Sequence, residues 1–532
     1  MTRSIAQDRT RLLTDRVSRR TMLSAGSAAL AMTAAARLPH QAVAVQNGVA
    51  TPDTEPVLDF GTLDAFISQE MERYGVPGAA VAVIRGGQPV LIKGYGVREL
   101  GGDALVDADT VFQLASNTKP MTAFTLGVLV DEGLIEWDTP IADVLSELQL
   151  WDPYPTRWLT SRDVLAHRSG FPAFSGDLLG HVGYDRAEML RRLRYIPPAS
   201  SFRSVAAYSN LGFFIAGEVI TRLTGSPWED VMRDRLFDPV GMSRSSPALA
   251  DRPADGNLSA NHGMVDGQLQ LVPADDHGVY GSAGSANSTA NDLARWMQML
   301  LDGGRANGQQ LMEATTVREM LEPSMVAPLS ISEMAPIDAE SGFAYGLGWA
   351  SYHYHGYEVI EKGGALNGVR TIVVMVPQLN AGVAVLANLN LTALPEAVRA
   401  FVLEQLLGPA GTDVQQEIQE VGAEIEAVFA SEPPLIDNPV PPAVPLEALA
   451  GVYESPLYAE FRVIAEGDAM RLEAGPARKP ATFKHLSHTT FLLDWGSVTS
   501  IPSQTTFILG PDGLAVGFEN EDLGRFERVS NE

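Results

Sequence analysis

Ser116-Asn117-Thr118-Lys119 sets a hydroxyl and an amine three residues apart, and it is the only Ser-x-x-Lys in the chain. Phe112-Gln113-Leu114-Ala115 leads into it and a long apolar stretch follows, so a buried helix is expected over 116–135. If that helix starts at or just before Ser116, positions i and i+3 share a face and the two groups are neighbours. A serine alcohol is a poor nucleophile until a base takes its proton. Lysine serves as that base only when neutral, against a reference pKa of about 10.4. Burial and a nearby second cation both favour the neutral amine. Of 38 basic residues only five are Lys: Lys93, Lys119, Lys362, Lys479 and Lys484. Arginine does not deprotonate in proteins, so a lysine in this chain is a choice made for its chemistry.

Two further pieces complete the constellation. Tyr208-Ser209-Asn210 precedes an apolar run, Leu211-Gly212-Phe213-Phe214-Ile215-Ala216. The phenol suits proton transfer to a leaving group, and the amide suits holding Lys119 or a substrate carbonyl. Lys362-Gly363-Gly364 follows the apparent strand Tyr357-Glu358-Val359-Ile360. Glycines there let a substrate lie against a strand edge, with Gly364 a binding position. The Lys362 ammonium would attract a substrate carboxylate and favour the neutral form of Lys119. Ser285-Ala286-Asn287 is a rival for the middle motif, but it merges into the cap of a helix expected over 289–302 and ended by Gly303-Gly304.

In this order the three motifs resemble the serine β-lactamases and penicillin-binding proteins. The resemblance is to the class C branch, which includes class C β-lactamases, D-Ala-D-Ala carboxypeptidases, D-aminopeptidases and esterases. The stretch Leu159-Thr160-Ser161-Arg162-Asp163-Val164-Leu165-Ala166-His167-Arg168-Ser169-Gly170 is similar to a family stretch, as are residues 202–210 and 362–368. The resemblance covers about residues 57–408. It implies an α/β (α+β) β-lactamase/transpeptidase-like domain, an antiparallel sheet covered by helices plus a helical region. It implies Ser116 as acylated nucleophile, Lys119 as general base and Tyr208 as proton relay. Asn210 would position substrate, Lys362 would face its acidic end, and the backbone N–H groups of Ser116 and Ala365 would form the oxyanion hole. His167 is read as structural. The chain departs from the β-lactamase pattern at Gly363, where a hydroxyl residue is usual, and this puts efficient β-lactam hydrolysis in doubt. The expected reaction is acyl transfer to water from an ester, a D-amino peptide or a related amide. A true β-lactamase and a non-catalytic penicillin-binding sensor are the alternatives.

The rest of the composition bounds the partners. The 532 residues are 45% apolar and 19% charged, with mean hydropathy +0.01 and a formal net charge of −27. That is a globular composition with room for roughly two to four domains. Such an acidic surface argues against nucleic acid and anionic membranes as partners. There is no cysteine, so disulfides, thiolate nucleophiles and Cys-ligated zinc are excluded. His353 and His355 alternate on one expected strand and read as surface residues, so no metal or cofactor is expected.

Residues 1–44 carry seven Arg and two Asp, and Ser18-Arg19-Arg20-Thr21-Met22-Leu23 opens a mildly apolar stretch to about Ala36. This resembles a twin-arginine export signal, with Ala42-Val43-Ala44 as a cleavage site. The protein is expected to be exported, or tethered if the signal is retained, with no membrane span in the mature chain.

Between 57 and 408 helical and strand patterns alternate, suggesting one mixed sheet under helices. Val81-Ala82-Val83-Ile84 and Val90-Leu91-Ile92 read as two buried strands around Gly86-Gly87, and residues 371–376 and 382–386 as another hairpin. Residues 409–446 hold an amphipathic helix, with Val414, Ile418, Val421, Ile425 and Val428 on one face, and a Pro-rich linker. The helix is expected to dock on its own domain, a seam with a second copy being the alternative. Residues 447–532 alternate in short runs at 461–464, 470–473, 490–493, 506–509 and 515–518. They read as a small antiparallel all-β domain. Leu449-Ala450-Gly451-Val452-Tyr453 and Phe526-Glu527-Arg528 resemble the lipocalin-like domain appended to several family members.

Overall fold

The computed structural model describes residues 59–265, 267–327, 343–409, 413–430, 440–496 and 502–530. The expected export signal and most of the Pro-rich linker lie outside the described residues. Eight strands form the main sheet: β1 (Gly78–Arg85), β2 (Gln88–Gly96), β3 (Met325–Val326), β4 (Ala344–Tyr345), β5 (Ala350–Tyr354), β6 (Tyr357–Leu366), β7 (Val369–Val376) and β8 (Ala381–Ala387). Their order is β2-β1-β8-β7-β6-β5-β4-β3, and every pairing is antiparallel rather than mixed. The helices that bear on the site are α1 (Phe60–Tyr74), α2 (Thr118–Asp131), α3 (Ser161–Leu165), α4 (Asn210–Thr224), α5 (Ala290–Leu301), α6 (Leu394–Leu407) and α7 (Val414–Ala430).

The sheet is buried on both faces, which explains its near-continuous apolar runs. Alternate residues of a strand point to opposite sides. Val81, Val83, Val374 and Val385 pack with Leu63 and Ile67 of α1 and Val398 and Val402 of α6. Ala80, Ala82, Val373 and Leu386 pack instead with Met121 and Phe124 of α2 and Trp296 of α5. Helices on both faces replace the water that normally covers one side of an antiparallel sheet. The first hairpin differs from expectation in one strand. β1 is buried almost throughout, whereas β2 is a largely exposed edge. Its Pro89 and Lys93 are the residue types that protect an edge from further pairing. Val414 and Ile418 of α7 pack against Ala393, Ala397 and Ala400, so this helix docks on its own chain.

Eight antiparallel strands, from Gly451–Ser455 to Gly524–Ser530, form a closed barrel. The strand Lys479–Ser487 was not evident in the sequence, because Pro480 and two lysines interrupt its apolar positions. Aromatic rings fill the interior: Phe518 and Phe526 lie 4.6 Å apart, and Phe461 and Phe526 4.7 Å. The barrel rests on the helical region through short polar contacts. Tyr184 Oη donates to Tyr458 O at 2.8 Å, Arg192 Nη1 to Leu457 O at 2.8 Å, and Ala477 N to Val182 O at 2.9 Å.

Candidate active site

Ser116 does not open α2. It sits on a 3-10 turn, Ala115–Asn117, and the α-helix begins at Thr118. Pro120 gives the physical reason, since it belongs within the first turn, where an N–H has no helical partner. The turn is tightly held. Ala115 adopts φ +53, a left-handed conformation unusual for a residue with a Cβ. Thr118 Oγ1 donates to Ala115 O at 2.8 Å, and Asn117 Nδ2 to Thr371 Oγ1 at 2.9 Å. Thr371 Oγ1 in turn donates to Leu114 O at 2.9 Å. Gly364, opposite Thr371 in the β6–β7 ladder, lets this turn lie against the sheet. A Cβ on Gly364 would come 2.4 Å from Leu114 O and 3.1 Å from the Ala115 Cβ.

Across this turn the hydroxyl and amine meet. Lys119 Nζ lies 3.1 Å from Ser116 Oγ, and it donates to Asn210 Oδ1 at 2.7 Å and Ala283 O at 2.8 Å. Tyr208 Oη donates to Ser116 Oγ at 2.7 Å. Lys119 is fully buried and Lys362 nearly so. Both ammonium nitrogens lie 4.8 Å from the centroid of the Tyr208 ring. Ser116, Lys119, Tyr208, Asn210 and Lys362 therefore converge, and Ala365 lines the same cavity as Ser116.

The stretch 159–170 holds the middle motif in place. Thr160 and Asp163 form a capping box at the start of α3. The fully buried Asp163 carboxylate accepts from Arg168 Nε at 2.7 Å and Arg203 Nη2 at 2.7 Å. His167 follows at φ +56 and accepts the Ser209 N–H on Nδ1 at 3.1 Å. Its ring packs 4.6 Å from that of Tyr208. Burial, and next the charges of Lys362 and Lys119, hold His167 well below the usual histidine range, so it is a neutral acceptor. Ser209, the N-cap of α4, thus carries Tyr208 and Asn210 on either side of a fixed backbone point.

Asp177 went unnoticed in the sequence. Asn210 Nδ2 donates to its Oδ2 at 2.7 Å, fixing which end of the amide faces Lys119. Burial pushes this carboxyl well above the usual range, opposed by the Asn210 bond and the charge of Lys119. The rival segment 285–287 lies behind the site: Ser285 Oγ bonds Gly281 O at 3.0 Å, and the Ala286 N–H donates to Thr118 Oγ1 at 3.0 Å. His353 is exposed on β5, but His355 lies beyond that strand in a turn at φ +50, so the two do not share a strand. Among the described residues no cluster of His, Asp and Glu is placed to hold a metal ion.

A cavity of about 930 Å³ opens at Ser116. Phe174, Ile196 and Trp151 line it from the helical region, and Leu457, Tyr458 and Trp495 from the barrel. His181 and His277 also border it, the first exposed and the second half-buried.

A nucleophile-bearing turn, an adjacent buried lysine and a tyrosine beside strand β6 of an antiparallel sheet define a serine acyl-transfer fold. The chain belongs to the beta-lactamase family, which it matches over residues 63–407, and it is a serine hydrolase of that fold. Residues 437–528 match a domain family of unknown function. The chain is 26% identical to the unguisins hydrolase ungD of Aspergillus violaceofuscus, over 88% of this chain and 89% of that one. It is 29% identical to penicillin-binding protein 4 of Amycolatopsis lactamdurans, over 71% of this chain and 93% of that one. The solved octameric penicillin-binding protein homologue from Pyrococcus abyssi shares the fold, with a TM-score of 0.57 and 21% identity over 88% of this chain and 100% of that one.

Proposed function

We propose that this chain is an exported hydrolase that forms an acyl-enzyme at Ser116. The observation that carries the reading is Ser116 Oγ lying 3.1 Å from Lys119 Nζ and 2.7 Å from Tyr208 Oη. A neutral lysine has two N–H bonds and one lone pair. Asn210 Oδ1 and Ala283 O occupy the two N–H bonds, which turns the lone pair toward Ser116. Complete burial and the nearby Lys362 both favour that neutral form. Lys119 takes the hydroxyl proton as Oγ bonds the substrate carbonyl carbon. The oxygen charge that develops is met by the N–H groups of Ser116 and Ala365, each worth roughly 10²–10³ in rate. Tyr208 passes a proton to the departing nitrogen or oxygen, and the C–N or C–O bond breaks. Water then attacks the acyl-enzyme, with Tyr208 and Lys119 relaying its proton and returning Ser116. Asn210 positions substrate, Gly364 keeps the strand close to the nucleophile, and Lys362 faces the substrate's acidic end.

The substrate class is an ester, a D-amino peptide or a related amide. Relatives named as a hydrolase of unguisins and as a penicillin-binding protein support hydrolysis by acyl transfer. Gly363 offers no hydroxyl to a substrate carboxylate, so nitrocefin turnover is expected to be slow or absent. Labelling with a fluorophosphonate and with fluorescent penicillin, followed by mass mapping, tests the reading. An adduct on Ser116, lost in Ser116→Ala, is expected, together with turnover of p-nitrophenyl esters or D-amino-acid anilides. No adduct, with Ser116→Ala behaving as wild type, would favour a non-catalytic sensor. Rapid nitrocefin hydrolysis would favour a true β-lactamase.

Export rests on the Arg19-Arg20 segment. Among the described residues no helix is long and apolar enough to cross a membrane. Cell fractionation of the full chain beside an Arg19→Lys/Arg20→Lys variant tests it: the variant should be retained in the cytoplasm. Assembly with further copies is part of the proposal, prompted by the octameric homologue, and light scattering of the purified protein measures it.

A further inference from the structure

The cavity at Ser116 has two walls made by distant parts of the chain. Its volume of about 930 Å³ is at the upper end of the roughly 300–1,000 Å³ usual for ligand sites. A short acyl group fills little of it. The barrel wall presents Leu457, Tyr458, Trp495 and Leu523, of which all but Tyr458 are half-buried. Facing into the same space are Phe174, Ile196 and Trp151, and Trp151 is 58% exposed. Trp151, Leu457, Trp495 and Leu523 keep apolar surface open around this space, over a floor of the buried Phe174, Ile196 and Tyr458, which is a feature of ligand subsites.

The barrel wall is also fixed in position. Besides the hydrogen bonds of Tyr184, Arg192 and Ala477 across the junction, Gly475 lies so close that a Cβ there would come 2.6 Å from Val182 O. Backbone packed that tightly does not slide without losing those bonds. A path of polar groups leads from the nucleophile toward this wall. Ser116 contacts Lys119, Lys119 contacts Asn210, and Asn210 contacts Asp177. Asp177 and Tyr458 of the barrel line the same cavity. Lys362, which in the reading above faces the acidic end of the substrate, enters separately from β6. The barrel wall therefore shares this cavity with the Asn210–Asp177 side of the nucleophile.

We infer that Leu457, Tyr458, Trp495 and Leu523 form a subsite for a bulky apolar group on the acyl side of the scissile bond. The preferred substrate class is then a peptide or ester with several apolar units, not a short acyl donor. The inference rests on the acyl-enzyme reading above. Binding energy gained at this distance from the chemistry raises turnover when it is realised in the transition state.

The test holds the leaving group constant and varies the acyl group. Full-length protein is assayed with p-nitrophenyl acetate and p-nitrophenyl 4-phenylbutanoate, as wild type and as Trp495→Ala and Leu523→Ala. Wild type is expected to favour the phenylbutanoate in kcat/KM. Each variant should lose roughly 10- to 100-fold on the phenylbutanoate while acetate turnover stays within about 2-fold, which also shows that the fold is intact. Equal losses on both esters, or an undiminished preference in both variants, would overturn the subsite. Failure of wild type to turn over either ester, with no Ser116 adduct, would instead bring down the hydrolase reading and the subsite with it.

Discussion

Replacing Lys119 with arginine keeps a positive charge beside Ser116 and removes the group that accepts its proton in the proposed step. The guanidinium stays protonated at any pH the fold survives. Loss of general-base assistance costs about 10²–10⁴ in acylation rate, or about 2.7–5.5 kcal/mol of transition-state stabilisation. A structural cost comes on top. Lys119 is fully buried, and Ser116 Oγ, Asn210 Oδ1 and Ala283 O lie 3.1, 2.7 and 2.8 Å from its Nζ, so a longer planar side chain overfills the space. Overpacking of that kind costs about 1–3 kcal/mol of stability. The two costs are separated by measuring both. Rapid-quench kinetics with a p-nitrophenyl ester reads acylation as a burst of p-nitrophenol, and intact mass reads the Ser116 adduct. Thermal melting reads the fold. Lys119→Met removes charge and donors together and controls for bulk. Lys119→Arg should fold, melt somewhat lower and show no burst. A burst of wild-type rate and amplitude in Lys119→Arg would refute the assignment of the base.

Tyr208→Phe deletes the hydrogen bond to Ser116 Oγ and the proton relay but leaves Lys119 in place. It should lower kcat by about 10²–10³-fold while fluorophosphonate still labels Ser116 slowly, and undiminished kcat would rule out the relay. Asp163→Ala leaves Arg168 and Arg203 facing a buried gap, and should cost about 3–5 kcal/mol in urea unfolding; a change below about 1 kcal/mol would count against the anchoring role. Gly364→Ala forces a Cβ to 2.4 Å from Leu114 O, so both turnover and melting temperature should fall, and a fully active, stable variant would contradict the close approach. His167, 1% exposed, is held well below the usual histidine range by burial. The unfolded chain therefore binds a proton below about pH 6.5 that the native state refuses. This group draws away up to ~1.4 kcal/mol per pH unit as pH falls from there toward its native pKa. Its imidazole NMR signals should stay unchanged from pH 7.5 to 5.5, and a titration near 6.5 would refute its burial as a neutral ring.

What the sequence disclosed depends on how local each signal is. The Ser116–Lys119 contact needs only a helical spacing of three, and it survives the change from α-helix to 3-10 turn. The apolar run alone starts α2 at Ser116, two residues early, because it masks the helix-start signal of Pro120. The apolar strands of the sheet were visible, but the exposure of β2 was not, since edge position is set by which strands lack a second neighbour. Asp177 lies in a loop with no periodicity, and it reaches Asn210 only through the fold, so no spacing announced it. His167 was read as structural, but its bond to the Ser209 N–H, the link that orients the middle motif, emerges only in three dimensions. The meeting of barrel and helical region at one cavity was likewise beyond any motif.

The aromatic rings inside the barrel hold one another, with Tyr453 and Phe518 5.0 Å apart beside the closer pairs. Tyr458, on the connection 455–458, adds its ring to that cluster, stacked 6.2 Å from Phe526. Leu457 and Leu523, half-buried on connections that border the cavity, can be exchanged above an unchanged plug. Selection among such exchanges would retune what the enzyme accepts while the acyl-transfer machinery, built from other parts of the chain, is left as it stands.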